Sequence, residues 1–186
     1  YVRANGLRGA GILARQQGDY VEAKTHHEES LVLFRQLGTA YNLQIARQLD
    51  ALGEIEQYYG NYEQAIALHK ESLALQRELG DKEGVAASLA HLGVIARERG
   101  RYDEAEELLQ QSLLLNRELG DRLRISVDLN NLGFVATRQC HYERALAYHD
   151  EAVQQYRDLN NKLGISESLL NMGDVAKNKG DFRQSL

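Results

Sequence analysis

The sequence predicts an all-α fold, an α-solenoid of antiparallel helix pairs. Three observations predict it. A motif recurs about every 40 residues, the apolar residues of each copy follow a helical period, and the 186 residues include no Pro. Periods of 20–50 residues are typical of repeat arrays. The absence of Pro disfavours an all-β chain with many tight turns.

The repeated motif has a Leu-Gly pair, a Gly-x-Tyr turn and an Ala. It is clearest in Leu92-Gly93, Gly100-Arg101-Tyr102 and Ala105. The first spacing is 42 residues and the others are 40, with the extra residues near 38–43. Five copies begin at the pairs Ala10-Gly11, Leu52-Gly53, Leu92-Gly93, Leu132-Gly133 and Met172-Gly173.

Each period holds two predicted helices. Leu89, Leu92, Gly93 and Ala96 share one helical face, and Gly100 is expected to end that helix in the left-handed conformation. The N-cap of a first helix is expected at Asp121. The predicted helices are 2–17, 20–37, 41–59, 62–79, 82–99, 102–119, 122–139, 142–159 and 162–179, with a tenth beginning at Phe182.

Glycine recurs in the middle of the first helix of each pair, where it costs about 1 kcal/mol relative to Ala. The recurrence predicts close backbone approach at Gly53, Gly93, Gly133 and Gly173. The small residues expected on the partner helices are Ala23, Ala65, Ala105 and Ala145. Small residues on both helices are expected to let each hairpin pack tightly.

A single array over 1–186 is the predicted domain organisation. Tyr1 is not an initiator Met, so we expect a fragment of a longer protein. One Cys favours a reducing compartment, and we expect a cytoplasmic location. The net charge of −5 argues against nucleic-acid binding, and no apolar run is long enough for a membrane helix. The expected repeats are 2–38, 41–80, 82–120, 122–160 and 162–186, the last incomplete.

The motif resembles the tetratricopeptide repeat (TPR). It has the form Leu89-x-x-Leu92-Gly93-x-x-Ala96 followed by Ala105-x-x-x-Leu109. It departs from the family pattern in three ways: the period is longer than in the family, and Leu-Gly-Asp replaces the closing Pro. The aromatic residue that ends the first motif in the family is replaced by Ala or by Glu56. The 40-residue form is similar to repeats of kinesin light chains, G-protein-signalling modulators and bacterial signal-transduction ATPases with LuxR-type ends. Residues 28–38 resemble the last group most.

The resemblance implies a right-handed superhelix in which the first helices line a concave surface that binds an extended peptide. In peptide-binding members an Asn before the Leu-Gly pair bonds the peptide backbone, which implicates Asn131 and Asn171. The alternative is that both amides are solvated or bond a neighbouring helix. Phe134 and Val94 are candidates for holding an apolar side chain, although Phe134 alternatively packs between repeats. The remaining candidates on this face are Asn130, Arg97, Arg138, His91 and Lys177.

Charge differs between the two sets of helices. The second helices sum to −8 and the first-helix segments to +3. A mildly basic concave face favours a ligand that carries carboxylates. The alternative is that the acidic outer helices only promote solubility.

No pattern of residues indicates catalysis, a metal site or a cofactor. His27, His69 and His149 share one repeat position with Leu109, which favours packing over metal binding. No Ser or Cys lies at a spacing from a potential general base that would indicate nucleophilic catalysis. The sequence therefore predicts no enzyme activity and no cofactor.

The predicted function is a protein- or peptide-binding scaffold or sensor module of a larger, bacterial signalling protein. One alternative is a domain that controls an attached enzyme, similar to bacterial aspartate-phosphatase regulators. Another is a structural spacer or oligomerisation module. The last complete helix is expected to expose Leu169, Met172, Val175 and Ala176, which predicts end-to-end self-association.

Overall fold

The computed structural model describes residues 1–184, with side chains described as far as Gly180. These residues form nine α-helices and one short 3₁₀ turn, Thr39–Tyr41, with no strand. The all-α prediction is therefore confirmed for the part of the chain that is described. The helices are α1 Val2–Gln16, α2 Tyr20–Leu37, α3 Asn42–Tyr58, α4 Tyr62–Leu79, α5 Lys82–Glu98, α6 Tyr102–Leu119, α7 Arg122–Arg138, α8 Tyr142–Asp158 and α9 Lys162–Gln184.

Helix boundaries agree with the prediction to within about one residue, except at two places. The extra residues of the first period form the Thr39–Tyr41 turn. The predicted break after 179 is wrong, because α9 runs on to Gln184 without a turn at Gly180. Gly tolerates the helical conformation at a cost of about 1 kcal/mol, so Gly180 does not by itself end the helix. Leu186 lies outside the described residues.

The connections between helices use the left-handed conformation, as predicted at Gly100, where φ is +72°. At two of these connections the residue is not glycine. Cys140 has φ +61° and Asn160 has φ +53°. Asp121 is the N-cap of α7, and its Oδ1 accepts a hydrogen bond of 3.0 Å from the backbone N–H of Arg124. The N-terminus of α7 is thus fixed by the predicted residue.

Two compact units divide the chain, and each contains its own core. In the first, 1–92, α1 packs on α2 and α3 on α4. In the second, which begins at Gly93, α7 packs on α6 and α8, and α9 packs on α8. The largest core cluster of the first unit is Ala4, Leu31, Phe34, Ile45, Leu49 and Leu52. That of the second is Ala96, Ala105, Leu109, Leu113, Ile125, Leu129, Leu132, Val135, Ala152 and Tyr156.

The mid-helix glycines make close approaches, as predicted, but not to the alanines. A Cβ on Gly53 would lie 2.6 Å from the His69 ring, and one on Gly93 would lie 2.8 Å from Leu109 Cγ. The neighbour in each case is the large residue four positions after the repeated Ala. At Gly173 the prediction is wrong, since no described atom lies within 4 Å of its Cβ position. The described residues include no tenth helix that would pack there.

The repeated histidines are buried anchors between helices, in agreement with the packing interpretation. His27 Nδ1 lies 2.8 Å from Gln48 Oε1, His69 Nδ1 lies 3.2 Å from Asp50 Oδ1, and His149 Nδ1 lies 3.1 Å from Asn130 Oδ1. Burial lowers the pKa of His149 to about 4. The imidazole is therefore neutral near pH 7.

A second buried polar group lies where α6 meets α7. Asp128 accepts hydrogen bonds of 2.8 Å from Ser112 Oγ and from Asn116 Nδ2. Burial raises the pKa of this carboxyl to about 6, and the two hydrogen bonds oppose that rise. The repeat pattern did not predict a buried carboxyl at this position, because the equivalent residues of the other repeats are Gln48, Ser88 and Ser168.

Candidate functional site

A surface cavity of about 270 Å³ in the second unit combines aromatic, amide and charged side chains. It includes four of the predicted site residues, from helices α7 and α9. We call it the α7–α9 cavity. Its lining residues are Phe134, Thr137, Arg138, His149, Asn171, Asp174, Lys177 and Asn178.

Phe134 forms the apolar side of the cavity and is held by a cation from the preceding repeat. The Arg97 guanidinium carbon lies 5.1 Å from the centre of the Phe134 ring. Arg97 Nη1 also donates a hydrogen bond of 2.5 Å to Asn131 Oδ1. These three predicted site residues are therefore together, and the amide oxygen of Asn131 already has a partner. Val94 lies half-buried one helical turn before Arg97.

Arg138 is held in a fixed place by a tyrosine. Its Nε donates a hydrogen bond of 3.0 Å to Tyr102 Oη, and its guanidinium carbon lies 5.8 Å from the centre of the Tyr102 ring. A guanidinium that is already positioned loses less conformational entropy when it binds a ligand. The role of Tyr102 was not predicted, although a tyrosine recurs at this helix start in Tyr20, Tyr62 and Tyr142.

Asn171 differs from its counterpart Asn131 in having no partner among the described residues. The residue that corresponds to Arg97 in the next repeat is Thr137, which is too short to reach it. Thr137 Oγ1 instead donates 2.8 Å to the carbonyl of Gly133 on its own helix. The Asn171 amide therefore keeps one acceptor and two donors for a ligand.

The ionised groups of the α7–α9 cavity leave a net positive charge. Arg138 and Lys177 supply two cations, and Asp174 supplies one carboxylate. His149 adds no charge near neutral pH, because burial holds its pKa at about 4. The cavity can therefore accept a carboxylate and hydrogen-bond a peptide group at once.

Two predicted site residues lie elsewhere. Asn130 is only 8% exposed, and its Oδ1 accepts from Ser168 Oγ at 2.9 Å and faces His149 Nδ1 at 3.1 Å. His91 belongs to the first unit, where its ring stacks on His69 at 4.7 Å and its Nε2 lies 3.6 Å from Glu54 Oε1. Neither side chain lines the cavity, although Asn130 contacts its lining residue His149.

Within the described residues there is no group of His, Cys, Asp and Glu side chains arranged to hold a metal ion. The same residues contain no helix with the length and apolar character that crossing a membrane requires.

The sequence matches the profile of the tetratricopeptide repeat over residues 2–78, 49–118 and 84–158. The chain belongs to the tetratricopeptide repeat family. Arrays of this family are scaffolds that typically bind proteins and are generally not catalytic. No curated protein sequence matches the chain.

Solved structures share the TPR fold at low sequence identity. BtubC from P. vanneervenii superposes with a TM-score of 0.80 at 22% identity, over 93% of this chain and 71% of that one. Aspartyl phosphate phosphatase F from Bacillus subtilis superposes with a TM-score of 0.85 at 12% identity, over 98% of this chain and 49% of that one. The nearly identical TPR-like repeats of a kinesin-light-chain-like protein from Podosopora anserina superpose with a TM-score of 0.76 at 17% identity, over 97% of this chain and 90% of that one. This chain thus spans about half the length of the phosphatase.

Proposed function

We propose that this TPR array binds a protein partner by holding an extended, carboxylate-bearing segment in the α7–α9 cavity. The observation that carries the proposal is the convergence of four side chains on one cavity: Phe134, Arg138, Asn171 and Lys177. They supply an apolar face, a free amide and two cations. Catalysis is not part of this proposal.

Each side chain has a distinct role in the proposed complex. The Asn171 amide donates to and accepts from the peptide backbone, which fixes the register of the segment. Phe134 contacts an apolar side chain, and its ring is already oriented by Arg97. Arg138 and Lys177 attract a carboxylate, which speeds association and selects for acidic segments.

Asn131, Arg97 and Val94 extend the proposed surface towards α5. Asn131 Oδ1 already accepts one hydrogen bond from Arg97, so this amide offers a ligand its two N–H donors and one remaining acceptor site. We assign Asn130 and His91 no direct contact with the segment, since the first is buried and the second belongs to the other unit.

Selection of peptides from a random display library by the full chain would test this proposal. Enriched peptides should carry Asp or Glu, and their affinity, measured by fluorescence anisotropy, should fall about 3- to 10-fold in Lys177→Gln. Lys162→Gln, which neutralises another exposed lysine of α9, is the matched control and should leave affinity unchanged. Equal affinity in wild type, Lys177→Gln and Asn171→Ala would refute the cavity as the binding site.

For the biological context we propose a sensor or scaffold module of a cytoplasmic, bacterial signalling protein. A module that controls an attached enzyme is the second candidate, favoured by the fold shared with aspartyl phosphate phosphatase F. The full-length sequence distinguishes them: an ATPase and DNA-binding region beside the array supports the first candidate, and a phosphatase region supports the second.

Self-association through α9 is a further part of the proposal. Leu163 and Leu170 are 80% and 70% exposed, and Leu169 is also exposed. Val175 was wrongly expected to be uncovered, because it is fully buried with Ala136 and Ala145. Sedimentation at several concentrations should show association that Leu170→Glu reduces. Leu114→Glu on α6, where Leu114 is 61% exposed, is the control. A monomer at all concentrations would contradict self-association.

A further inference from the structure

Three tyrosines in the first unit form an exposed aromatic corner. Tyr20 begins α2, Tyr58 ends α3, and Tyr59 follows it. The Tyr20 and Tyr58 rings are stacked with centres 4.0 Å apart, and Tyr59 meets Tyr58 edge-on at 5.6 Å. Tyr58 is 63% exposed and Tyr59 is 45% exposed. We call these three residues the tyrosine corner.

A shallow depression of about 440 Å³ borders the tyrosine corner. Its lining residues are Gln17, Gly18, Asp19, Tyr20, Val21, Tyr58 and Tyr59. Asp19 is therefore the one ionised side chain of this lining. Its Oδ1 accepts the backbone N–H of Glu22 at 2.9 Å as the N-cap of α2, and its Oδ2 has no partner among the described residues. The depression thus offers aromatic faces and a carboxylate oxygen, with no cation in the lining.

The equivalent depression of the second unit contains a cation from the chain itself. It is lined by Gly100, Arg101, Tyr102, Asp103, Glu104, Arg138 and Gln139. Tyr102 is the repeat counterpart of Tyr20, and Arg138 is the counterpart of Tyr58. The Arg138 guanidinium lies 5.8 Å from the Tyr102 ring centre and donates to its hydroxyl at 3.0 Å. At this place in the repeat, a tyrosine face and a guanidinium are therefore stable neighbours.

We propose that the tyrosine corner and Asp19 bind an arginine side chain of a protein partner. A guanidinium fits because it stacks on aromatic faces and pairs with a carboxylate at the same time. The cations near the corner are already paired. Arg15 lines the adjoining depression with Tyr20 and Tyr58 and is paired with Glu54, and Lys24, which lies near Tyr59, is paired with Glu56. The negative charge of Asp19 is therefore left for a ligand. The same charge disfavours a nucleic acid, whose bases would stack on tyrosine but whose phosphates would be repelled. This site is independent of the α7–α9 cavity.

NMR titration of the ¹⁵N-labelled full chain with the peptide acetyl-Gly-Arg-Gly-amide would test the proposal. We expect saturable shifts of the backbone amides of residues 18–21, 58 and 59. Acetyl-Gly-Gln-Gly-amide, of similar size and without charge, should cause no saturable shift there. Equal shifts with both peptides, or shifts spread over the acidic second helices, would overturn the proposal. Stronger binding of uridine monophosphate at the same amides would also overturn it.

Three variants test the role of each group. Asp19→Asn keeps the N-cap but removes the charge, and should weaken the arginine peptide about 3-fold. Tyr58→Arg supplies an internal cation, as Arg138 does in the second unit, and should abolish the amide shifts caused by the arginine peptide. Tyr59→Leu removes one aromatic face and should weaken these shifts. Asp103→Asn in the equivalent depression of the second unit is the control and should have no effect. Unchanged binding in Asp19→Asn and Tyr59→Leu, both folded by their spectra, would refute the site.

Discussion

The imidazole of His149 lies directly over Gly133, so that a Cβ on this glycine would be 2.5 Å from His149 Cε1. The glycine is required because the ring fills the space that a side chain would occupy. The same relationship holds between Gly53 and His69 and between Gly11 and His27. The repeated Gly is thus explained by a large residue on the partner helix.

Gly133→Ala should destabilise the chain by about 1–3 kcal/mol, because overpacking against His149 outweighs the helix-propensity gain of about 1 kcal/mol. Gly173→Ala is the matched control, since no described atom lies within 4 Å of its Cβ position. That substitution should stabilise by about 0.5–1 kcal/mol. Urea unfolding measures both. A Gly133→Ala variant as stable as wild type would show that the ring moves aside at no cost.

Asn171→Ala should weaken a selected peptide by about 1–3 kcal/mol, because it leaves peptide groups unpaired in the complex. Asn131→Ala should have a smaller effect, because the Asn131 oxygen is already bonded to Arg97. Substitutions of Arg97 and Arg138 should mainly change the salt dependence and the association rate. Anisotropy titrations at several salt concentrations measure these effects, and equal losses at both asparagines would contradict the assigned difference.

Asp128 and His149 should impose opposite pH dependences on stability between pH 4 and 6. The pKa of Asp128 is raised to about 6 in the folded chain. The contribution of this group to the free energy of unfolding is therefore fully present below its unfolded pKa and is lost as pH rises through 6. The pKa of His149 is lowered to about 4, so its contribution is present above its unfolded pKa and is lost as pH falls towards 4. The two dependences partly cancel in the wild type.

Asp128→Asn should therefore make the unfolding free energy rise more steeply with pH between 4 and 6. One proton corresponds to at most about 1.4 kcal/mol per pH unit. Denaturant unfolding at half-unit pH steps measures the slope, with Asp150→Asn on the exposed face of α8 as control. Parallel curves for wild type and Asp128→Asn would mean that the folded state does not hold the proton on this carboxyl.

Cys140→Gly should stabilise the chain by about 1 kcal/mol. Cys140 has φ +61°, a left-handed conformation that costs a residue with a Cβ about 1–2 kcal/mol. Asn160→Gly, at φ +53°, should stabilise less because Asn tolerates this conformation. Thermal unfolding under reducing conditions measures the pair. A larger gain at Asn160 than at Cys140 would contradict the conformational explanation.

Local signals in the sequence were sufficient for the helices. A helical apolar period and a left-handed residue at each turn act within a few residues of the chain, and they located α2, α4 and α6 to the residue. The two exceptions also have local origins: the 3₁₀ turn occupies the inserted residues, and Gly180 tolerates the helical conformation within α9.

The sequence by itself determined the repeat, the family and the face on which Phe134, Arg138, Asn171 and Lys177 lie. Only the tertiary structure decided which of two equivalent asparagines has a partner among the described residues. Asn131 and Asn171 occupy the same repeat position, but Asn131 accepts a hydrogen bond from Arg97. Asn171 shares its cavity with Thr137, whose hydroxyl is bonded to its own helix. A side chain's partner comes from the neighbouring repeat, about 34 residues away in the chain. Helical periodicity fixes the direction of each side chain, whereas pairing depends on the reach of whatever residue lies across the interface.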